Sequence, residues 1–211
     1  MARDEERIER ARQEPIVGGL ADVPGIGTAM RLTPEFGLHL RGLADQLLVK
    51  DFPGATITRV EREMIATAVS AANDCFFCMD SHAAHATAVM EMTGSTDQAP
   101  LLDVIKLGLS EGFDPKMQAL LHIARTVRRN PLELTATDVE AATAAGATDA
   151  DVQLAVAISA GFSMYNRLVD GFRAATPPTT EVYNERAGQI AEHGYSAPPP
   201  GAAATPTSGR N

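Results

Sequence analysis

The 211 residues carry 18 basic against 27 acidic side chains, and the net charge of -9 repels a phosphate backbone and an anionic lipid surface alike. Nucleic acid and membrane are thereby excluded as partners, and a charged N-terminal stretch with no apolar run near the ~18 residues of a span is expected in a cytoplasmic protein. An apolar fraction of 45% with only 5% aromatics and no Trp makes a core of Ala, Leu, Ile, Val and Met, the palette of closely packed helices; with no period-two alternation between turn signals, the fold class is all-α.

Taken in order, residues 1–30 form an N-terminal arm. A charged, helix-capable segment from Asp4 to Gln13 loosens into a Gly- and Pro-rich stretch whose Ile16, Val17, Leu20, Val23 and Ile26 have no helical period, so the arm either lies across a surface of its own or a neighbouring subunit or is a loose leader. A helical domain follows over 31–175. Thr33 and Pro34 suit the N-cap and first position of a helix whose Phe36, Leu38, Leu40, Leu43, Leu47 and Leu48 carry it to about Val49, before Phe52-Pro53-Gly54 forces a turn.

The segments from Thr58 to Ala72 and from Cys75 to about Met92 both read as helix, with Asn73 and Asp74 between them as turn and N-cap residues. So short a corner predicts an αα-hairpin. The only two cysteines, Cys75 and Cys78, then sit at i and i+3 with His82 at i+7, on one face. At the helix start, free amides and the positive dipole end are expected to lower a thiol below its usual ~8.5. Glu63, two to three turns before the corner, comes level with His82, two turns after it. A carboxylate on an imidazole that faces a thiol is a proton relay, and the spacing marks a thiol redox site with its own base.

Shorter helices are predicted over Ala99–Ser110, from Asp114-Pro115 to Arg129, and over Thr135–Ala145; Thr148 or Asp149 caps a long one over Ala150–Ala174, which Thr176-Pro177-Pro178 ends. Its L-A-V-A-I-S-A-G (Leu154 to Gly161) lines up with I-A-T-A-V-S-A-A (Ile65 to Ala72). A duplicated hairpin would place Tyr165-Asn166-Arg167 where the second copy's site belongs. The extension 176–211 holds a possible helix at Thr180–His193, and from Ser196 its composition cannot bury enough apolar surface to order itself.

Glu, eleven residues, C-x-x-C, three residues, His resembles the motif of the alkylhydroperoxidase D branch of the carboxymuconolactone decarboxylase superfamily. The words E-R-E-M-I-A and N-R-L-V-D-G-F (Asn166 to Phe172) are similar to its peroxidase-related group over about Thr33 to Phe172. Some members carry a second histidine before the distal cysteine where this chain has Phe77, which implies a shorter relay and a drier site. The resemblance implies an AhpD-like domain of packed helical hairpins and a homo-oligomer of trimeric or hexameric type. It also implies a hydroperoxide as substrate and an external dithiol as reductant, with Cys75 and Cys78 as redox pair, His82 as relay histidine and Glu63 as relay acid.

The chemistry requires no bound cofactor and no metal. Three other readings compete. Cys75, Cys78, His82 and His85 can be written as a zinc set, although four ligands on one short helix do not easily surround an ion. A lactone decarboxylase would need acid-base groups and no thiol pair, and a redox sensor would oxidise once without turning over. His85 reads as a core histidine and Glu61 as the competitor of Glu63, while His122, Asn166 and Arg167 suit a pocket or a subunit interface. A base stacked one turn from Cys78 outweighs the dipole at Cys75, so Cys78 is expected to attack the peroxide and Cys75 to resolve.

Overall fold

Three threonines start three helices by one device. Thr58, Thr135 and Thr148 each accept the amide three residues on, while the acid at that position, Glu61, Asp138 or Asp151, takes the threonine's own amide in return. Asp114 caps a fourth, with Pro115 at its first position. In this computed structural model, which describes residues 2–11, 14–16 and 24–197, the helices are α1 (Ala2–Ala11), α2 (Gly27–Leu32), α3 (Pro34–Leu48), α4 (Arg59–Ala72) and α5 (Phe76–Thr93). They are followed by α6 (Pro100–Lys106), α7 (Pro115–Arg129), α8 (Ala136–Ala144), α9 (Asp149–Gly171) and α10 (Asn184–His193), with short 3-10 turns at Thr96–Gln98, Pro131–Glu133 and Glu181–Tyr183. No strand forms among the described residues, so the fold is all-α. None of these helices is long and apolar enough to cross a membrane.

The core collects around α4, whose residues from Glu63 to Ala71 are buried without a break, because α5, α6, α7 and α9 all pack against it. Met64, Ile65, Leu120, Leu121, Ile123, Leu154, Ile158 and Phe162 are fully buried there, each contributing on the order of 1.5–3 kcal/mol by leaving water. The two matched octapeptides lie in α4 and α9, which touch each other, but the likeness stops with them: α4 ends at Ala72, whereas α9 runs on through Tyr165, Asn166 and Arg167 as unbroken helix. The second copy therefore has no corner on which a site could be built.

The arm's described part returns to its own chain: Ile16 N donates to Phe172 O at 3.2 Å, and Gly25 N to Ala175 O at 3.0 Å. Gly25 has φ +58, and a Cβ there would stand 2.0 Å from the Phe77 ring, so only glycine lets the arm lie flat on α5. Gln13, Val17, Leu20 and Val23, and the tail from Pro198 to Asn211, lie outside the described residues.

Asp151 ties the α9 start to the loop before α4. Its buried carboxylate accepts from Thr56 N at 2.6 Å, Thr56 Oγ1 at 2.7 Å, Ile57 N at 2.9 Å and Thr148 N at 3.0 Å. Burial pushes its pKa up, but these hydrogen bonds outweigh burial and hold it at about 2. An unfolded Asp titrates near ~3.9, so the stabilisation is complete above about pH 4 and is lost as the pH falls through the folded value. Asp151→Asn is expected to cost roughly 1.5–3 kcal/mol at neutral pH, the worth of hydrogen bonds to a charged group, and less at about pH 3. Urea midpoints of both proteins at both pH values check this.

Candidate active site

The corner between α4 and α5 is a bend of three residues. Asn73 is the C-cap of α4, Asp74 takes a left-handed φ of 55, and Cys75 stands at the N-cap of α5 with its amide donating back to Ser70 O at 3.0 Å. Asn73 and Asp74 are thus turn residues, and neither caps α5. The bend is braced from outside: Asn73 donates to Asn166 Oδ1 at 2.8 Å and accepts from Arg128 Nε at 2.6 Å, and Asn166 donates to Ser70 Oγ at 3.1 Å. Asn166 holds the corner from beneath.

Both cysteines are free and buried, with the Cys75 thiol donating to Cys78 Sγ across 3.0 Å. A disulfide needs the sulfurs about 1 Å closer. The expected lowering of the Cys75 thiol is overturned: the hydrogen bond to Cys78 pushes its pKa up, and burial adds to this. Cys75 stands at the N-cap, but its side chain makes no cap hydrogen bond, its amide is committed to Ser70 and it is fully buried, so desolvation outweighs the dipole. Near it lies the Asp170 carboxyl, whose pKa burial raises, against the pull of Arg10, 3.6 Å away.

Glu63 and His82 meet as their spacing requires, with His82 Nδ1 2.8 Å from Glu63 Oε2 and Glu63 fully buried. Since a carboxylate only accepts, Nδ1 is the donor to Glu63, and the tautomer of an uncharged ring that satisfies this bond has its lone pair at Nε2. Glu61 closes the α4 capping box instead.

Two further groups complete the cluster. Tyr195 Oη donates to Glu63 Oε1 at 2.7 Å and lies 2.9 Å from His85 Nδ1 and 3.2 Å from His82 Nδ1. With the tyrosine proton on Glu63, His85 donates its own Nδ1 proton to Tyr195. Burial pushes the His85 pKa well down, helped by the charges of His82, Arg186 and Arg59, so this ring stays neutral. Burial first, then Glu63's charge, drives the Tyr195 hydroxyl well above its ordinary value.

Tyr195 reaches this depth by a turn that only glycine allows. Gly194 has φ 81 and ψ -179, and a Cβ there would meet Asp45 Oδ1 at 2.8 Å. That carboxylate accepts Tyr195 N at 2.6 Å and Ser196 N at 3.1 Å, while Arg59 donates to the last carbonyls of α10, Ile190 O and Ala191 O. Tyr195→Phe leaves an oxygen of buried Glu63 without its donor and is expected to destabilise by roughly 1.5–3 kcal/mol; a fall in the urea midpoint at unchanged slope checks it.

A cavity of about 360 Å³ opens on this cluster. Its wall is apolar, with Ile26, Met30, Leu40, Phe77, Phe162 and Val182 among its side chains, and all three tyrosines of the chain border it. Cys78, Ser81, His82 and His85 face it, and neither Cys75 nor Glu63 does.

Residues 34–126 match the model of the Carboxymuconolactone decarboxylase family. A solved structure described as the alkylhydroperoxidase AhpD core, an uncharacterized peroxidase-related protein from Ralstonia eutropha JMP134, matches with TM-score 0.63 and 25% identity over 89% of this chain and 90% of that one. Over residues 34–126 the chain is similar to the carboxymuconolactone decarboxylase family, and its fold is that of the AhpD-like helical proteins. An uncharacterized peroxidase-related protein from Silicibacter sp. TM1040 shares the fold at TM-score 0.61 and 23% identity, over 82% of this chain and 93% of that one. No curated protein sequence matches.

The stretch that matches the carboxymuconolactone decarboxylase family takes in Glu63, both cysteines and both histidines, whereas Tyr195 and Asp170 come from beyond it. Sequence reasoning missed both as site residues; the visible signals were a lone tyrosine directly after a helix-ending glycine, and an aspartate one helical turn after Asn166. His85, read as a core histidine, is buried but belongs to the cluster. Among the described residues the group with metal-ligating geometry is Glu63, His82 and His85, their ligand atoms within 4.8 Å of one another; the cysteines are not part of it, so the mixed Cys and His zinc set is not assembled. His122 pairs with Asp138 at 2.9 Å and the exposed Arg167 binds Ser163 O at 2.7 Å, both away from the cavity.

Proposed function

We propose that this peroxidase-related protein is a dithiol peroxidase. The observation that carries the reading is Cys78 on the wall of an apolar cavity, with a second thiol 3.0 Å behind it and His82 one turn along the same helix. His82 Nε2 takes the Cys78 proton, and Glu63, held by Tyr195, steadies the imidazolium that results. The Cys78 thiolate attacks the terminal oxygen of a hydroperoxide. An S–O bond forms, the O–O bond breaks, and the alkoxide leaves as alcohol with the proton from His82, so that sulfur is oxidised by two electrons and the peroxide reduced by two. Cys75 then attacks the Cys78 sulfenic acid, its thiol proton passing to the departing hydroxide, to give the disulfide and water. An external dithiol returns the pair to thiols by exchange.

The partners belong to the same proposal: a hydroperoxide, a dithiol reductant in a reducing cytoplasm, and further copies of this chain in a trimer or hexamer, which sedimentation would count. The deciding assay is steady-state hydroperoxide loss with excess dithiol, in wild type and a Cys75→Ser/Cys78→Ser variant. Multiple turnovers that vanish in the variant support the reading. One equivalent consumed and no more would make the protein a redox sensor, and a lactone activity that survives both substitutions would move it to the decarboxylase chemistry.

A further inference from the structure

Arg41 from α3 and Arg186 from α10 both border the cavity that Cys78 faces, and no aspartate or glutamate does. The two guanidinium groups lie close enough that, after burial, Arg41's charge is the next influence lowering the Arg186 pKa. Neither has an acidic partner among the described residues. Arg41 Nε donates to Met30 Sδ at 3.3 Å, and Arg186 donates to Gln189 Oε1 at 3.1 Å, Ala197 O at 3.2 Å and Tyr195 O at 3.5 Å. In a chain of net charge -9, two neighbouring half-buried arginines with neutral partners on an otherwise apolar wall leave a local excess of positive charge that a bound anion would relieve.

We infer that the cavity takes a molecule with an apolar body and a terminal carboxylate, the carboxylate held between Arg41 and Arg186 and the body lying on Met30, Leu40, Phe77 and Phe162. Resting on the peroxidase reading, the substrate is then an organic hydroperoxide that carries a carboxylate, of the fatty acid type, and hydrogen peroxide is a poor one. The volume is that of an ordinary small-molecule pocket, and the guanidinium fork fits a carboxylate in two parallel hydrogen bonds. The alcohol product leaves with the carboxylate unchanged, so the anchor takes no part in the electron transfer.

Two measurements separate the pocket from the chemistry. Calorimetric binding of decanoate and decanol, neither of which is oxidised, tests the anchor on the full chain. Wild type should prefer decanoate by about tenfold or more, as a charge-assisted hydrogen bond implies, and Arg41→Gln should erase most of that preference. Arg186→Gln should do the same, provided its melting curve shows it folded; Arg41→Gln and the wild-type comparison decide the matter if it is not. Equal binding of acid and alcohol to wild type, or a preference that Arg41→Gln leaves intact, overturns the anchor. The second measurement is kcat/KM of the wild type for a fatty acid hydroperoxide and its methyl ester. A preference for the acid of about tenfold supports the substrate class, and equal values overturn it. Decanoate binding without any peroxide turnover would instead refute the peroxidase reading while the anion pocket stands.

Discussion

Cys78→Ser is expected to abolish peroxide reduction, while Cys75→Ser still reduces one equivalent and stops with a sulfenic acid on Cys78. The asymmetry follows from the position of the single proton between the sulfurs. Cys75 holds it, aimed at Cys78 Sγ, and its pKa is raised by that hydrogen bond and by burial, which disfavours Cys75 as the thiolate. Access points the same way, since Cys78 borders the cavity and Cys75 does not. A sulfenic-acid trap with one equivalent of hydroperoxide reads the outcome. Trapping in Cys75→Ser alone is the expected result; trapping only in Cys78→Ser would reverse the roles and make Asp170, behind Cys75, the base that matters.

The second large effect is expected at the relay. His82→Ala removes the base and should slow oxidation of Cys78 by roughly 10²-fold to 10⁴-fold, the usual range for a positioned proton acceptor. Glu63→Gln keeps the shape but can offer its amide to His82 Nδ1, in which case the imidazole carries its proton on Nε2, facing away from Glu63, and ceases to be a base. Its loss should therefore approach that of His82→Ala. Glu61→Gln touches only the capping box of α4 and should leave the rate near wild type. Stopped-flow oxidation of the three variants, with circular dichroism to confirm folding, tests the ranking. A rate in Glu63→Gln equal to wild type would remove the carboxylate from the mechanism.

What was legible in the sequence is what local rules control. The threonine and acid three residues apart that start α4, α8 and α9 bond within one turn, so their spacing alone foretells the helix starts. The meeting of Glu63 with His82 was legible for a related reason: two regular helices joined by a three-residue bend have a fixed rise, so positions whose distances from the corner differ by less than one turn come within reach of each other. Where the helix rule was extended through the corner itself it failed. Cys75 stands at the N-cap instead of inside the first turn, and the hydrogen bond to Cys78 and burial decide its thiol, not the dipole.

The sequence by itself determined an all-helical chain and the line of Glu63, Cys75, Cys78 and His82 along one hairpin, because caps, apolar period and helical rise act over a few residues and need no partner. Only the tertiary structure decided that Tyr195, 132 residues from Glu63 and 110 from His85, completes the hydrogen bonding of that line. It also decided that His85 joins the cluster, and that Arg41 and Arg186 converge on the cavity from different helices. Such contacts depend on how α3, α5, α9 and α10 pack together, and no spacing along the chain encodes the approach of segments that far apart.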